Sequence, residues 1–228
     1  MFYFWLVLIG LMFISMAIQA RLKSKFKQYS EISFKGNLSG AEVATKMLRG
    51  NGIYDVQVIS VDGQLTDHYN PAEKTVNLSP EVYSGRSVAA AAVAAHECGH
   101  AVQHAESYAW LTMRTNLVPA VSFASTWMQW ILLAGVFTVR IYPQILLVGV
   151  ILFAFTTLFS FITLPVELDA SNRALAWLER SGITTSEEHD MAKDALKWAA
   201  LTYVIAAISS LAALLYYGSM LMGGRRNN

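Results

Sequence analysis

Four apolar stretches constrain this chain more than any other feature of its sequence. None contains Lys, Arg, Asp or Glu, and they run from Phe2 to Ala20, from about Leu117 to Val139, from about Ile145 to Leu164 and from about Ala199 to Met222. A helix of about 20 apolar residues spans a bilayer. The chain is also 54% hydrophobic and only 14% charged, with a mean hydropathy of +0.38. This composition is more apolar than that of a typical soluble domain. We therefore predict an integral membrane protein with four transmembrane helices.

The distribution of basic residues predicts the orientation of these helices. The first stretch is followed, not preceded, by basic residues, which is the reverse of a secretory signal and indicates an uncleaved anchor. With four spans, segments 21–114 and 165–198 lie on one side of the membrane. The basic residues near the spans are Arg21, Lys23, Lys25, Lys27, Arg114, Lys193 and Lys197 on that side, against Arg140, Arg225 and Arg226 on the other. The positive-inside rule makes the first side cytoplasmic.

The most informative motif is His96-Glu97-Cys98-Gly99-His100, which reads H-E-x-x-H. It lies in an alanine-rich run from Ser87 to Ala105 that favours a helix. Two imidazoles at positions i and i+4 project from one helical face and can share a metal ion, and Glu97 can hold a water molecule beside them. This is the zinc metalloprotease signature. The alternative is a helix with two partly buried, hydrogen-bonded histidines; the small side chains around the motif favour the metal site.

The remaining patterns predict the organisation of the chain. The segments are an anchor at 1–20, a cytoplasmic region at 21–116, a transmembrane hairpin at 117–164, a cytoplasmic helical segment at 165–198, a last transmembrane helix at 199–222 and a tail at 223–228. The first cytoplasmic region should contain a helix capped by Ser39 and Glu42, a strand over 56–61 and a hairpin of 65–69 with 74–78. The predicted fold class is mainly α, with four spans and a small cytoplasmic α+β region, zincin-like, around the H-E-x-x-H helix.

The second cytoplasmic segment begins at Pro165, which we expect to end the third span and to start a surface helix through Arg180. Ser181-Gly182 should break that helix. Thr185 and Glu188 then form a plausible capping box for a helix that continues into the fourth span.

A catalytic zinc ion usually has three protein ligands, so a third residue is needed. His104 lies eight positions after His96, which is about 12 Å along a straight helix and too far for one ion with bonds of about 2 Å. Glu167 is the better candidate, because two spans separate it from the motif and return the chain to the same side. Its alternative role is to complement a helix dipole in a first helical turn. Asp169 competes, but on a helix it faces nearly opposite Glu167, so only one of them can be the ligand.

Several longer segments resemble the YugP-type neutral zinc metallopeptidases of bacterial membranes. They are Leu65 to Pro71, Leu78-Ser79, Ala94 to His104, Leu164 to Ser171 and Ala199 to Tyr203. The resemblance covers nearly the whole chain and implies a membrane-embedded metallopeptidase. A more distant resemblance to HtpX-type and CAAX prenyl membrane proteases, which use a glutamate as third ligand, carries that role to Glu167. Their usual Asp four residues later is Ser171 here, so Asp169 or Ser171 is expected to orient a ligand histidine.

We therefore predict a zinc-dependent endopeptidase at the cytoplasmic side of a bacterial plasma membrane. His96, His100 and Glu167 would bind Zn²⁺, and Glu97 would act as general base. The substrates would be proteins or peptides, including membrane proteins. The strand from Lys74 to Leu78 could pair with a substrate by edge addition, or serve only as a structural hairpin. Candidate oxyanion donors are His68, Tyr69, Tyr108, His189 and Arg173.

Two other classes of protein compete with this interpretation. A non-proteolytic zinc-binding scaffold or chaperone would need no base at Glu97 and would usually close its metal site with four protein ligands. A transporter or channel would be expected to carry ionisable groups within its spans, and these carry none. The net charge of +1 gives no indication of a nucleic-acid partner. The single cysteine, Cys98, excludes an intrachain disulfide, and we expect a small buried helix residue there.

Overall fold

The structure of the chain, a computed structural model, describes residues 2–225. Met1 and residues 226–228 lie outside the described residues, and with them Arg226 of the orientation argument. The elements in chain order are α1 (Phe2–Ser30), α2 (Gly40–Gly50), β1 (Gln57–Ser60), β2 (His68–Asn70), β3 (Thr75–Leu78), α3 (Pro80–Ser84), α4 (Val88–Ala105), α5 (Ala109–Thr138), α6 (Pro143–Arg180) and α7 (Ser186–Arg225). The protein is therefore mainly helical, as predicted.

Four helices of the described chain are long and apolar enough to cross a membrane. These candidate spans lie within Tyr3–Ser30, Ala109–Thr138, Pro143–Arg180 and Ser186–Gly223. Each contains one of the predicted apolar stretches, so the prediction of four candidate membrane-spanning helices with a small sheet is confirmed. All four of these helices are longer than the roughly 20 residues that a span needs, because polar helical turns adjoin the apolar run.

The chain divides into two compact units, each of which is described by itself. The first comprises the described parts of Met1–Ala17, Met113–Leu164 and Thr202–Asn228, and the second comprises Ile18–Thr112 and Pro165–Leu201. In the first unit, Thr157 and Ser210 share a hydrogen bond of 2.6 Å between α6 and α7. Such a bond satisfies two hydroxyl groups that would otherwise be buried among apolar side chains. All the candidate site residues belong to the second unit.

The helix α6 continues through Pro165, so the prediction that one helix ends and another starts at this proline is wrong. A proline inside a helix removes one backbone hydrogen bond and costs roughly 3 kcal/mol. In the second unit, a stripe of buried residues at four-residue spacing follows the proline and packs this part of α6 into the core. The stripe is Val166, Ala170, Ala174 and Leu178. Burial of the stripe offsets the local cost. Glu167 therefore lies within a continuous helix, and the first-turn role considered for it does not apply.

The site helix α4 forms over the run that the sequence predicted. The Ser87 hydroxyl caps its first turn by accepting a hydrogen bond of 3.2 Å from the Ala90 N–H. After Ala105 the chain turns at Ser107, whose φ of 54° ends the helical conformation. The helix contacts α2, α3, β2 and β3, and most of its side chains are buried. The small alanine side chains allow this packing on several sides.

The two predicted capping boxes are also present. The Ser39 hydroxyl accepts from the Glu42 N–H at 3.3 Å, and the Glu42 carboxylate accepts from the Ser39 N–H at 2.7 Å. Thr185 and Glu188 make the same pair of bonds at 3.2 and 2.7 Å. Each box satisfies two N–H groups at the start of a helix, α2 in one case and α7 in the other.

The small sheet has the strand order β1-β3-β2. The antiparallel pair of β2 and β3, with Tyr69 opposite Val76, confirms the predicted hairpin. The strand β1 lies parallel to β3 on its other side. Since β3 is hydrogen-bonded along both edges, the prediction that Lys74 to Leu78 could accept a substrate by edge addition is wrong. All four residues of β3 are buried, as expected for a central strand.

Candidate metal centre

Three side chains that could bind one metal ion meet between α4 and α6. His96 and His100 lie one turn apart on the same face of α4, with ring centroids separated by 4.9 Å. The Oε2 atom of Glu167, on α6, lies 3.3 Å from His96 Nε2 and 3.6 Å from His100 Nε2. One donor atom from each residue lies within 4.8 Å of the other two. His100 and Glu167 are buried and His96 is partly exposed, so solvent can reach the group at His96.

The close approach of the two helices depends on Gly99. A β-carbon at this position would lie 2.5 Å from the carbonyl oxygen of Ala170, well inside contact distance. Ala170 lies three residues after Glu167, and Gly99 lies between the two histidines. The contact therefore sets the distance between the imidazoles and the carboxylate. The sequence analysis missed this role, although a glycine inside an alanine-rich helix was an available signal, because glycine destabilises a helix by roughly 0.5–1 kcal/mol relative to alanine.

The second ring nitrogen of His100 contacts a buried glutamine. His100 Nδ1 lies 3.0 Å from Gln103 Oε1. Gln103 Nε2 donates hydrogen bonds of 2.8 Å to the Val166 carbonyl and of 2.8 Å to the Asp169 carboxylate. The sequence analysis did not single out Gln103, because a glutamine three residues after the motif has no meaning until its partners on α6 are known.

The second ring nitrogen of His96 contacts a hydroxyl group. Ser171 Oγ lies 3.1 Å from His96 Nδ1. Asp169 does not belong to the group of donor atoms; its carboxylate accepts from Gln103 and from Arg173 Nε, the latter at 2.5 Å. The two residues considered as orienting partners thus serve different histidines. Ser171 touches His96 directly, and Asp169 reaches His100 through Gln103.

The electrostatics of the group favour a positive charge where the three donor atoms meet. Burial by itself lowers the pKa of His100. The interaction with Glu167 and the negative charge of Glu97 raise it by more than burial lowers it, so the pKa of His100 lies above its usual value. An ion with four tetrahedral bonds of about 2.0–2.1 Å holds its ligand atoms about 3.3–3.4 Å apart. The separations of 3.3 and 3.6 Å are close to that value. Two imidazoles and one carboxylate are also a donor set of catalytic zinc, so these residues fit a zinc ion.

The two remaining residues of the motif are buried in different surroundings. Glu97 is buried, and its negative charge contributes to the raised pKa of His100. Cys98 Sγ lies 3.5 Å from the Ala44 carbonyl in the core. Burial raises the pKa of this thiol well above its usual value, so Cys98 is a packing residue, as expected, and not a nucleophile.

Tyr69 and His104 form a polar pair beside the site helix. The Tyr69 hydroxyl lies 2.8 Å from His104 Nδ1, and His104 follows His100 by one helical turn. Burial raises the pKa of Tyr69, and the charge of Asp55 adds to the effect, so the phenol keeps its proton. His104 is not among the clustered donor atoms, which agrees with the distance argument made from the sequence.

The other candidate oxyanion donors are placed differently. Arg173 is paired with Asp169 and Glu106, and its guanidinium carbon lies 5.7 Å from the Tyr108 ring centroid. His68 Nδ1 lies 2.7 Å from the Thr66 carbonyl. His189 belongs to α7 and is not among the residues that cluster at the site. Among the described residues, Tyr69 is therefore the one of the five whose side chain is shown hydrogen-bonded to α4 next to the motif, whereas Tyr108 reaches α4 only through its backbone N–H, which donates to the Gln103 carbonyl.

The fold and the site together define a class of protein: one with four candidate membrane-spanning helices and a His/Glu group able to hold a metal ion. The chain belongs to the family described as "Putative neutral zinc metallopeptidase", whose profile matches residues 4–222. It is 42% identical over 210 residues to the "Putative membrane protease YugP" of Bacillus subtilis (strain 168), and the match covers 92% of each chain. No solved structure matches the chain. The family resemblance inferred from the sequence is confirmed.

Proposed function

We propose that this protein is a zinc-dependent membrane endopeptidase that hydrolyses peptide bonds in protein substrates. The observation that carries the proposal is the meeting of Glu167 with His96 and His100 at separations that suit one tetrahedral ion. The names of the family and of the bacterial relative, which refer to a metallopeptidase and a membrane protease, support it.

Each residue of the site has a role in this proposal. His96, His100 and Glu167 hold the zinc ion, which when bound polarises the scissile carbonyl and makes a water molecule more acidic. Glu97 accepts a proton from the attacking water and later donates it to the departing amine. Glu97 suits this role because it follows His96 directly in the chain and its side chain is buried on the site helix. Three protein ligands leave one position for the reacting groups.

An extended peptide would bind along β2. This strand is an edge of the sheet, and a peptide added to an exposed edge gains main-chain hydrogen bonds. Tyr69 of β2 is bonded to His104 on α4, which ties the strand to the site helix. We assign its protonated hydroxyl as the donor to the oxyanion that develops during attack.

The active site would face the cytoplasm of a bacterium. The support is the excess of basic residues in the segments that carry the site, by the positive-inside rule, and the bacterial origin of the related membrane protein. The substrates would be proteins, including membrane proteins, that present an extended segment at the cytoplasmic surface of the membrane.

The test is to purify the full chain in detergent and to measure bound zinc and the cleavage of casein. We expect one zinc ion per chain and cleavage that a chelator abolishes. In Glu97→Gln, zinc should still bind while cleavage falls by about 10²–10⁴-fold, the usual contribution of a general base. Glu81→Gln, at an exposed carboxylate on α3, is the matched control and should remain active.

Two outcomes would contradict the proposal. Unchanged turnover in Glu97→Gln would refute the role of this residue as the base. Stoichiometric zinc binding by the wild type without cleavage of casein or membrane-protein substrates would instead favour the non-proteolytic scaffold or chaperone.

A further inference from the structure

Gln103 is a polar side chain with no exposed surface. Burying an amide is unfavourable unless its donors and acceptor are paired. Gln103 pairs both ends of its amide: the oxygen with His100 Nδ1, and the nitrogen with the Val166 carbonyl and the Asp169 carboxylate. Gln103, Val166 and Asp169 belong neither to the H-E-x-x-H motif nor to the third-ligand position. Their contacts with His100 and with each other therefore need a separate explanation.

These contacts determine which way the amide points. The Val166 carbonyl and the Asp169 carboxylate can only accept hydrogen bonds, so the amide nitrogen must face them and the oxygen must face His100. Because an amide oxygen can only accept, His100 Nδ1 must carry a proton. The other ring nitrogen, Nε2, faces Glu167 Oε2 at 3.6 Å. When the imidazole is neutral, Nε2 therefore has the lone pair that a metal ion between these two atoms would use.

Asp169 is held in place from the other side. Its Oδ2 atom accepts from Arg173 Nε at 2.5 Å as well as from Gln103, and Arg173 Nη1 donates to Glu106 at 2.6 Å. The guanidinium and the carboxylate form an ion pair, and charge-assisted hydrogen bonds are stronger and more directional than neutral ones. The acceptor that orients the amide nitrogen of Gln103 is therefore itself anchored between α4 and α6.

We propose that Gln103 is a positioning residue for His100. It keeps His100 in the Nδ1-protonated form with Nε2 directed at the metal site, and Asp169 and Arg173 keep Gln103 in the orientation that this requires. The inference rests on the proposed function in taking His100 as a zinc ligand. Loss of the partner that orients a ligand histidine usually weakens metal affinity by about 10–100-fold. A simple structural tie between α4 and α6 would have no effect on which nitrogen of His100 carries the proton.

The first test compares Gln103→Met with the wild type in the full chain. Methionine has a similar volume but no hydrogen-bonding amide. Competition with a chelator should show a zinc affinity about 10–100-fold weaker, and the matched control Gln64→Met, at an exposed glutamine, should leave it unchanged. In metal-free protein labelled with ¹⁵N-histidine, at a pH where His100 is neutral, His100 should be protonated at Nδ1 in the wild type and a mixture of tautomers in Gln103→Met. Wild-type affinity with a single tautomer in Gln103→Met would overturn the proposal.

The second test exchanges the acceptor and the donor within the same pair of positions. In the double variant Gln103→Glu with Asp169→Asn, the new carboxylate can accept from His100 Nδ1. The new amide nitrogen can donate to that carboxylate, and the new amide oxygen can accept from Arg173. The total charge is unchanged. We expect this variant to keep the Nδ1-protonated tautomer. Its zinc affinity should recover only in part, because the Val166 carbonyl loses the donor that Gln103 supplies and faces a carboxylate oxygen. A mixture of tautomers in this variant would overturn the proposal.

These measurements also separate this inference from the proposed function. A wild-type chain that binds no zinc would refute the metal site, whereas the tautomer of His100 in the metal-free protein would still test the role of Gln103. Should Gln103→Met fail to fold, the tautomer of His100 in the double variant decides by itself: the Nδ1-protonated form supports the proposal, and a mixture of tautomers refutes it.

Discussion

The substitution Gly99→Ala should separate the two helices that carry the zinc ligands. The new β-carbon would lie 2.5 Å from the Ala170 carbonyl oxygen, whereas ordinary contact begins at 3.4 Å. The α4 and α6 backbones must therefore separate locally by up to about 0.9 Å, because neither contacting group is the flexible end of a side chain. Ligand distances at a metal site tolerate changes of only about 0.2 Å. The separation is thus several times larger than the site can absorb.

Two opposing terms set the effect of Gly99→Ala on the metal-free fold. Alanine favours a helix over glycine by about 0.5–1 kcal/mol, and overpacking costs about 1–3 kcal/mol. We expect a net destabilisation of roughly 1–2 kcal/mol. Zinc affinity should fall by more than this stability loss suggests, by at least about tenfold, because the imidazoles and the carboxylate no longer reach one ion with good bond lengths.

The assay is zinc affinity by chelator competition, together with the thermal unfolding of the metal-free chain in detergent. Gly218→Ala is the matched control: it also lies in a helix, but a β-carbon there has no atom within 4 Å. It should leave zinc affinity unchanged and, with no overpacking to oppose it, should raise stability by about 0.5–1 kcal/mol through the helix preference of alanine. If Gly99→Ala binds zinc as tightly as the wild type, the contact with Ala170 does not set the ligand distances, and the reasoning is refuted.

Three further predictions concern residues in or near the motif. Glu167→Ala should weaken zinc binding far more than Asp169→Ala in chelator competition; the reverse order would make Asp169 the ligand. Ser171→Ala removes only a contact to His96 and should weaken zinc binding by up to about tenfold, and no change would mean that the hydroxyl does not orient the imidazole. Cys98 should resist iodoacetamide in the folded chain, because burial raises the pKa of its thiol, and should react after denaturation. Rapid labelling of the folded chain, followed by mass spectrometry, would contradict its packing.

Patterns within a few residues predicted most of the secondary structure. The capping boxes that start at Ser39 and Thr185 form between residues three positions apart, so local sequence is sufficient to recognise them. The apolar runs likewise identified the four candidate spans. The predictions at Pro165 and β3 were wrong because long-range packing decides both: a buried stripe carries α6 through the proline, and β1 occupies an edge of β3 that the hairpin alone would leave open.

In the candidate site, too, local sequence predicted some features and long-range packing decided the others. Residues four apart share a face of any helix, so the sequence by itself determined that His96 and His100 could bind one ion, with Glu97 between them. Only the tertiary structure decided that Glu167 faces them, that Gly99 must be small, and that the amide of Gln103 is held by groups 63 and 66 residues away. These features depend on how closely α4 packs against α6, and that distance is set by contacts between residues far apart in the chain.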